Sequence, residues 1–234
     1  MLSGSHIFEG RPPFSSPTSS GLVRLARTIT PINSSPARLG SNSTLHNLAP
    51  LVGGGGNGQT EVLSWTSQDP RQSQLFSPWG VLYRFQTDTN AHGQSTTTLW
   101  RAKRVNKEDI VAKLEWAPGG GLGRAVIRKN IIPMADLIRQ DPRMPDSRIF
   151  HAPDGLQYRW RSSTNSHDIV LQDPNNNVIA FVRPTRPTRY QLGDVYAELH
   201  FVRSAGAGIV MHPPFMDMVT VTAMLYRFAS AFNL

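Results

Sequence analysis

The sequence predicts a mainly β protein. Its body is a run of short antiparallel strands closing into a barrel or sandwich, preceded by a disordered tail and ended by one hydrophobic helix. Three observations carry this. Apolar–polar alternation with period two recurs between Gly-, Pro- and Asn-rich turns. The run from Phe215 to Phe232 is apolar nearly all round. Composition changes abruptly near residue 60.

Residues 1–60 hold 10 Ser, 9 Gly and 6 Pro but only five charges, and of the chain's 20 aromatic residues they hold only Phe8 and Phe14. A segment this poor in apolar surface does not offset its ordering entropy, so it is expected to be disordered. Gly53 to Gly58 closes it as a flexible tether. Its shortage of acids also fits a transit peptide, but Pro12, Pro13, Pro17 and Pro31 interrupt any helix of useful length. Ser16-Pro17, Thr30-Pro31 and Ser35-Pro36 are candidate phosphosites. The ordered domain is expected over residues 61–234.

Within that domain, Val81, Tyr83 and Phe85 alternate with Leu82, Arg84 and Gln86. Ile110, Ala112, Leu114 and Trp116 alternate with Val111, Lys113 and Glu115. Leu156, Tyr158 and Trp160, and then Val195, Ala197, Leu199 and Phe201, repeat the pattern, as expected of strands with one face in a core. Pro78-Trp79-Gly80, Asn90 to Gly93, Pro118 to Gly121, Pro153-Asp154-Gly155 and Asp173 to Asn177 supply the turns. Pro133 starts a short helix over Met134 to Gln140. The C-terminal helix, 215–232, is either a membrane span or buried in protein. Asp217 and Arg227 interrupt its apolar run, which favours a helix threaded through a barrel, each charge near the helix end that suits its sign.

The order of Asp69-Pro70-Arg71, Val81 to Phe85, Thr97 to Arg101, Val111 to Trp116, Phe150 to Gly155, Tyr158-Arg159-Trp160 and Phe215 to Leu225 resembles a fungal family of unknown function. That family's domain in turn resembles the Tubby C-terminal and LURP-one-related fold. The resemblance covers roughly residues 61–234. It implies a closed antiparallel β-barrel around the buried C-terminal helix, and it carries over no catalytic residue. Tubby-like domains bind phosphoinositide head groups and scramblase relatives act on lipids; for this chain those roles are analogy, because fold does not fix function.

The chain has no cysteine, which excludes disulfides, thiolate metal sites and a cysteine nucleophile. Gly119 to Gly123 precedes a strand, not a helix, so it reads as a hairpin loop and not a phosphate loop. No Ser sits in a nucleophile elbow and no His pair has zinc-ligand spacing. Glu198 and His200 share a strand face, which suits a solvated pair better than acid–base catalysis. The expectation is therefore a non-enzyme without cofactor or metal.

The net charge is +8, carried by 20 Arg and 4 Lys, with +3 on the tail and +5 on the body. Arginine favours anionic partners. Arg183, Arg186 and Arg189 recur every third residue between prolines, and in polyproline II they would project from one face. Arg101, Lys103 and Arg104 form a second basic group after Trp100. These six residues are the anion- or lipid-binding candidates, weighed against a solvated connecting loop and an ordinary exposed strand face. The expected function is a non-catalytic binding module for anionic phospholipid head groups or membrane surfaces, cytoplasmic and membrane-peripheral. The alternative is a protein-interaction domain, meeting an acidic protein surface and regulated through its tail. Nucleic acid ranks below both, because no reading motif accompanies the charge.

Overall fold

The computed structural model describes residues 60–234 apart from 105, 106 and 233. The expected disordered tail, its transit-peptide alternative and its phosphosites lie outside the described residues, as does the side chain of Arg104. The strands are β1 (Thr60–Thr66), β2 (Ser73–Ser77), β3 (Gly80–Thr89), β4 (Ser95–Arg104), β5 (Lys107–Glu115), β6 (Arg124–Ile127) and β7 (Asn130–Pro133). After helix α1 (Met134–Leu137) come β8 (Arg139–Asp141), β9 (Met144–His151), β10 (Gln157–Ser162), β11 (Ile169–Gln172), β12 (Val178–Tyr190) and β13 (Gly193–Val202). A 3-10 segment (Ala205–Met211) leads into helix α2 (Phe215–Phe232).

Among the described residues these strands form one antiparallel sheet, ordered β7-β6-β5-β4-β3-β2-β1-β13-β12-β11-β10-β9-β8. The sheet curls around α2, whose side chains are buried on every side from Phe215 to Ala229 apart from Asp217 and Arg227, which are half-buried. From one side of the wall, Tyr83 on β3 donates its hydroxyl to Asp217 at 2.8 Å. From the other, the Trp160 indole on β10 donates to the Thr222 hydroxyl at 3.0 Å, and Tyr158 meets Phe215 edge-on at 4.9 Å. Near the helix's far end, Trp116 packs on Phe228 at 4.4 Å. A helix apolar all round is stable in water only with such a sleeve.

The closed barrel expected from the sequence is corrected: the sheet is open, and β7 and β8 are its two free edges. These edges are short, four and three residues, and β7 ends on Pro133, which has no N–H to offer a ladder. The chain passes directly from Pro133 into α1, whose buried Met134 and Leu137 fill part of the gap. The helix expected to reach Gln140 therefore stops at Leu137, and Arg139 begins β8.

Two other expectations change. In β5, Leu99 pairs with Ala112 but Trp100 pairs with Ile110, so Val111 is an extra, bulged residue. The bulge buries Val111 and turns Ile110 outward, reversing the face assigned to Ile110 by simple alternation. The arginine–proline segment is not a polyproline II loop but part of β12. It pairs with β13 up to Pro184 and again from Thr188, with Thr185 to Pro187 looped out where the two prolines offer no donors. The glycine run is a hairpin loop as expected: the Ala117 N–H donates to Gly121 at 3.1 Å, and Gly119 has a positive φ.

Because neighbours are antiparallel throughout, successive turns alternate between two ends of the wall. The β2–β3, β4–β5, β6–β7 and β9–β10 turns share the end where α2 begins, here called the upper end. Among the described residues no helix is long and apolar enough to cross a membrane.

Candidate anion-binding cleft

The six basic candidates occupy two separate parts of the wall. Arg183 forms a two-pronged ion pair with buried Asp168, at 3.0 and 2.9 Å, and lies over the Phe181 ring. That hydrogen bond is the main reason its guanidinium is held above the usual arginine range. Arg189 pairs with Asp194 at 3.1 Å, while Arg186 is exposed and makes no ion pair among the described residues. The expected ladder is thus two neutralised arginines and one solvated one. On the other group, Arg101 is mostly buried and binds Asp217, with Asp109 at 3.6 Å. Burial opposes its charge, but the hydrogen bond and charge of Asp217 outweigh it and raise its affinity for the proton. Lys103 reaches Asp109 at 2.5 Å.

Glu198 and His200 do meet, with the His200 Nε2 2.9 Å from the carboxylate. This hydrogen bond, opposed by burial, holds the Glu198 carboxyl below its usual range. Their neighbours Ala197, Leu199 and Phe201 belong to the core, so the pair sits on the sheet face turned away from α2. The His200 ring stacks on Phe181 at 4.3 Å. The surrounding charges are Arg183 and Asp168, already locked to each other. The pair is therefore packed on the outer face with His200 buried, not solvated as the sequence suggested, and the His200 Nδ1 is buried without a partner among the described residues.

The open seam creates a different site. β8 pairs with β9 only as far as Ile149, so Phe150 and His151 have β10 on one side and the opening on the other. Opposite stands β7, which pairs only with β6. Between them lies a cleft of about 390 Å³. Val111, Ile127, Ile132, Met218 and Val221 make apolar walls; the Val111 bulge of β5 is what places that side chain there. Arg128 and Asn130 stand on one rim and His151 on the other, all exposed. At the base, Arg101 and the Tyr83 hydroxyl hold Asp217, and Asp109, the other carboxylate of the lining, is held by Lys103 and Arg101, so both are already matched. Burial and the Asp217 charge push the Tyr83 phenol well above its usual range, keeping it a donor. The arrangement suits an anion with an apolar tail: the head would meet Arg128 and His151, and the tail the aliphatic walls.

Of the sequence candidates whose side chains are described, only Arg101 lines this cleft. Arg128 and His151 were not singled out from the sequence. Arg128 carried no signal in the sequence, because Arg-Lys is not a hairpin-turn signature and only the pairing of Ile127 with Asn130 shows the two-residue turn. No signal marked His151 either; its exposure depends on where β8 begins.

No curated protein and no solved structure matches this chain. Residues 68–227, about two thirds of the chain, match the model of a family of unknown function, DUF6593, and the chain belongs to that family.

Proposed function

We propose that the protein is a non-catalytic binding module that takes an anionic amphiphile into the seam cleft, working peripherally at a membrane on the cytoplasmic side. The observation that carries this is the pairing of aliphatic walls with a rim that holds Arg128 and His151, at the seam between β7 and β8. The outer arginines of β12 contribute less to this reading, because Arg183 and Arg189 are held by Asp168 and Asp194. Kinship with the Tubby C-terminal and LURP-one-related folds is part of the same proposal, supported by an antiparallel wall wrapped around a hydrophobic C-terminal helix.

The test is calorimetric titration with a short-chain phosphatidylserine kept below its micelle-forming concentration. Ile132→Trp, which fills the cleft from its β7 side, should abolish binding. Arg128→Glu should weaken it by about tenfold, the loss of one charge-assisted contact. Unchanged affinity in both variants overturns the reading. The free edge of β7, with Ile131 exposed, favours a second reading in which a protein strand adds to the sheet. Capture of an extended peptide that Ile132→Pro abolishes would support it.

A further inference from the structure

We propose that the upper end of the wall is a docking face for an anionic bilayer, with Trp79, Leu156 and Ile209 entering the lipid interface and Lys107 and Lys129 meeting its phosphates. The proposal rests on the cleft reading in one respect: docking would set the cleft mouth against lipid.

The apolar part is a matter of position. Trp79 is 91 % exposed at the tip of the β2–β3 turn, and Leu156 and Ile209 are about half exposed at the β9–β10 turn and the 3-10 segment. The strand directions place all three at the same end. A tryptophan so exposed contributes nothing to the core, and its amphipathic ring is suited to the head-group layer. Among the described residues the opposite end exposes Met144 and Phe232 but no tryptophan, and the tips of its β3–β4 and β10–β11 turns are polar, with Asn90, Gln94, Asn165 and Ser166.

The charge part is a matter of what remains unmatched. Lys107, Arg128 and Lys129 stand at the β4–β5 and β6–β7 turns, and among the described residues none of them forms an ion pair with a carboxylate. The nearby acids are engaged: Glu108 with Arg84 at 2.7 Å, Asp109 with Lys103, and Asp154 with the Tyr158 hydroxyl at 2.6 Å. Asp173, bonded only to the amides of its own β11–β12 turn, marks the arc of this end that is not basic.

A third observation is independent of both. Arg128 has φ +58°, in the left-handed region that favours Gly, Asn or Asp in a two-residue hairpin turn. The turn therefore holds an arginine at a backbone position that carries strain, with its side chain exposed beside Lys129 at the turn tip.

The test uses the full chain and vesicles of phosphatidylcholine with and without phosphatidylserine. Sedimentation should show binding only with phosphatidylserine. It should fall by about tenfold in Trp79→Ala and again in the Lys107→Glu/Lys129→Glu double variant, with melting temperatures unchanged. Brominated lipid should quench the tryptophan emission of the wild type but not of Trp79→Phe. Arg128→Gly should raise the melting temperature while weakening vesicle binding. Equal vesicle binding in both variants, equal binding to neutral vesicles, or an unquenched Trp79 overturns the proposal. Titration of Trp79→Ala with the short-chain lipid separates the two readings. Affinity there should be unchanged. If no protein form binds the short-chain lipid while vesicle docking still depends on Trp79, the cleft reading falls and the docking face stands.

Discussion

The two ends of α2 each carry one charge within an otherwise apolar helix, and the wall receives them differently. At the upper end, Asp217 accepts hydrogen bonds from Tyr83 and Arg101, and Asp109 and Lys103 extend the network to the surface. At the lower end, Arg227 meets no carboxylate within bonding distance among the described residues. It lies over the Trp65 ring at 4.6 Å, and its Nη1 is buried without a hydrogen-bond partner. Burial lowers its proton affinity to about 10, with the charge of Asp69 opposing. Beside it Arg71 lies over Phe228 at 4.7 Å and pairs with Asp69. The same helix is therefore pinned by a complete ion-pair network at one end and tolerated through cation–π contact at the other.

The largest effect expected from breaking this contrast is at Asp217. Asp217→Ala leaves Arg101 and the Tyr83 hydroxyl facing a partly buried void, and it should cost about 3 kcal/mol, read as a lowered urea midpoint. Arg227→Met should do the opposite in kind. Removing an incompletely satisfied buried cation in favour of an apolar side chain of similar length should leave stability within about 1 kcal/mol of wild type, or raise it. A loss at Arg227 as large as that at Asp217 would show that the two ends are equivalent.

The smallest effect is in acid. Burial raises the Asp69 carboxyl's proton affinity, but the hydrogen bonds from Arg71 outweigh it and hold it below its usual range. The stability it contributes is therefore present above the unfolded carboxylate's value near 4 and is lost as pH falls through the lower folded value. Asp69→Asn should flatten the acid limb of a stability–pH curve slightly. Because Asp69 is partly exposed, the change should also shrink with added salt.

The strand pattern and the C-terminal helix were legible in the sequence because both are periodic signals. Tyr83, Phe85, Leu199 and Phe201 face the core as their alternation predicts. The Val111 bulge was not legible, because one inserted residue leaves no compositional mark and only the pairing with Leu99 and Trp100 reveals it. The fate of the arginines was hidden for a related reason. Arg183 reads as a free cation until the sheet brings Asp168, fifteen residues away, against it. The seam depends on β8 beginning only at Arg139, because α1 occupies the residues before it; Pro142 marks where β8 ends, but nothing in the sequence marks where it begins.

The pairing of β1 with β13 also governs how the chain can fold. Glu61 and Arg203, bonded across that pair, are 142 residues apart. The early strands can pair with one another as hairpins, but β1 gains its second neighbour, β13, only when nearly the whole wall exists, and the apolar helix that fills the sleeve comes later still. Loop-closure entropy must be met before these contacts stabilise anything, which makes folding slow. During synthesis the first strands must wait, with their core faces uncovered, for the last 18 helical residues to emerge. A nascent chain of this protein is thus a prolonged client for whatever shields apolar strands in the cell.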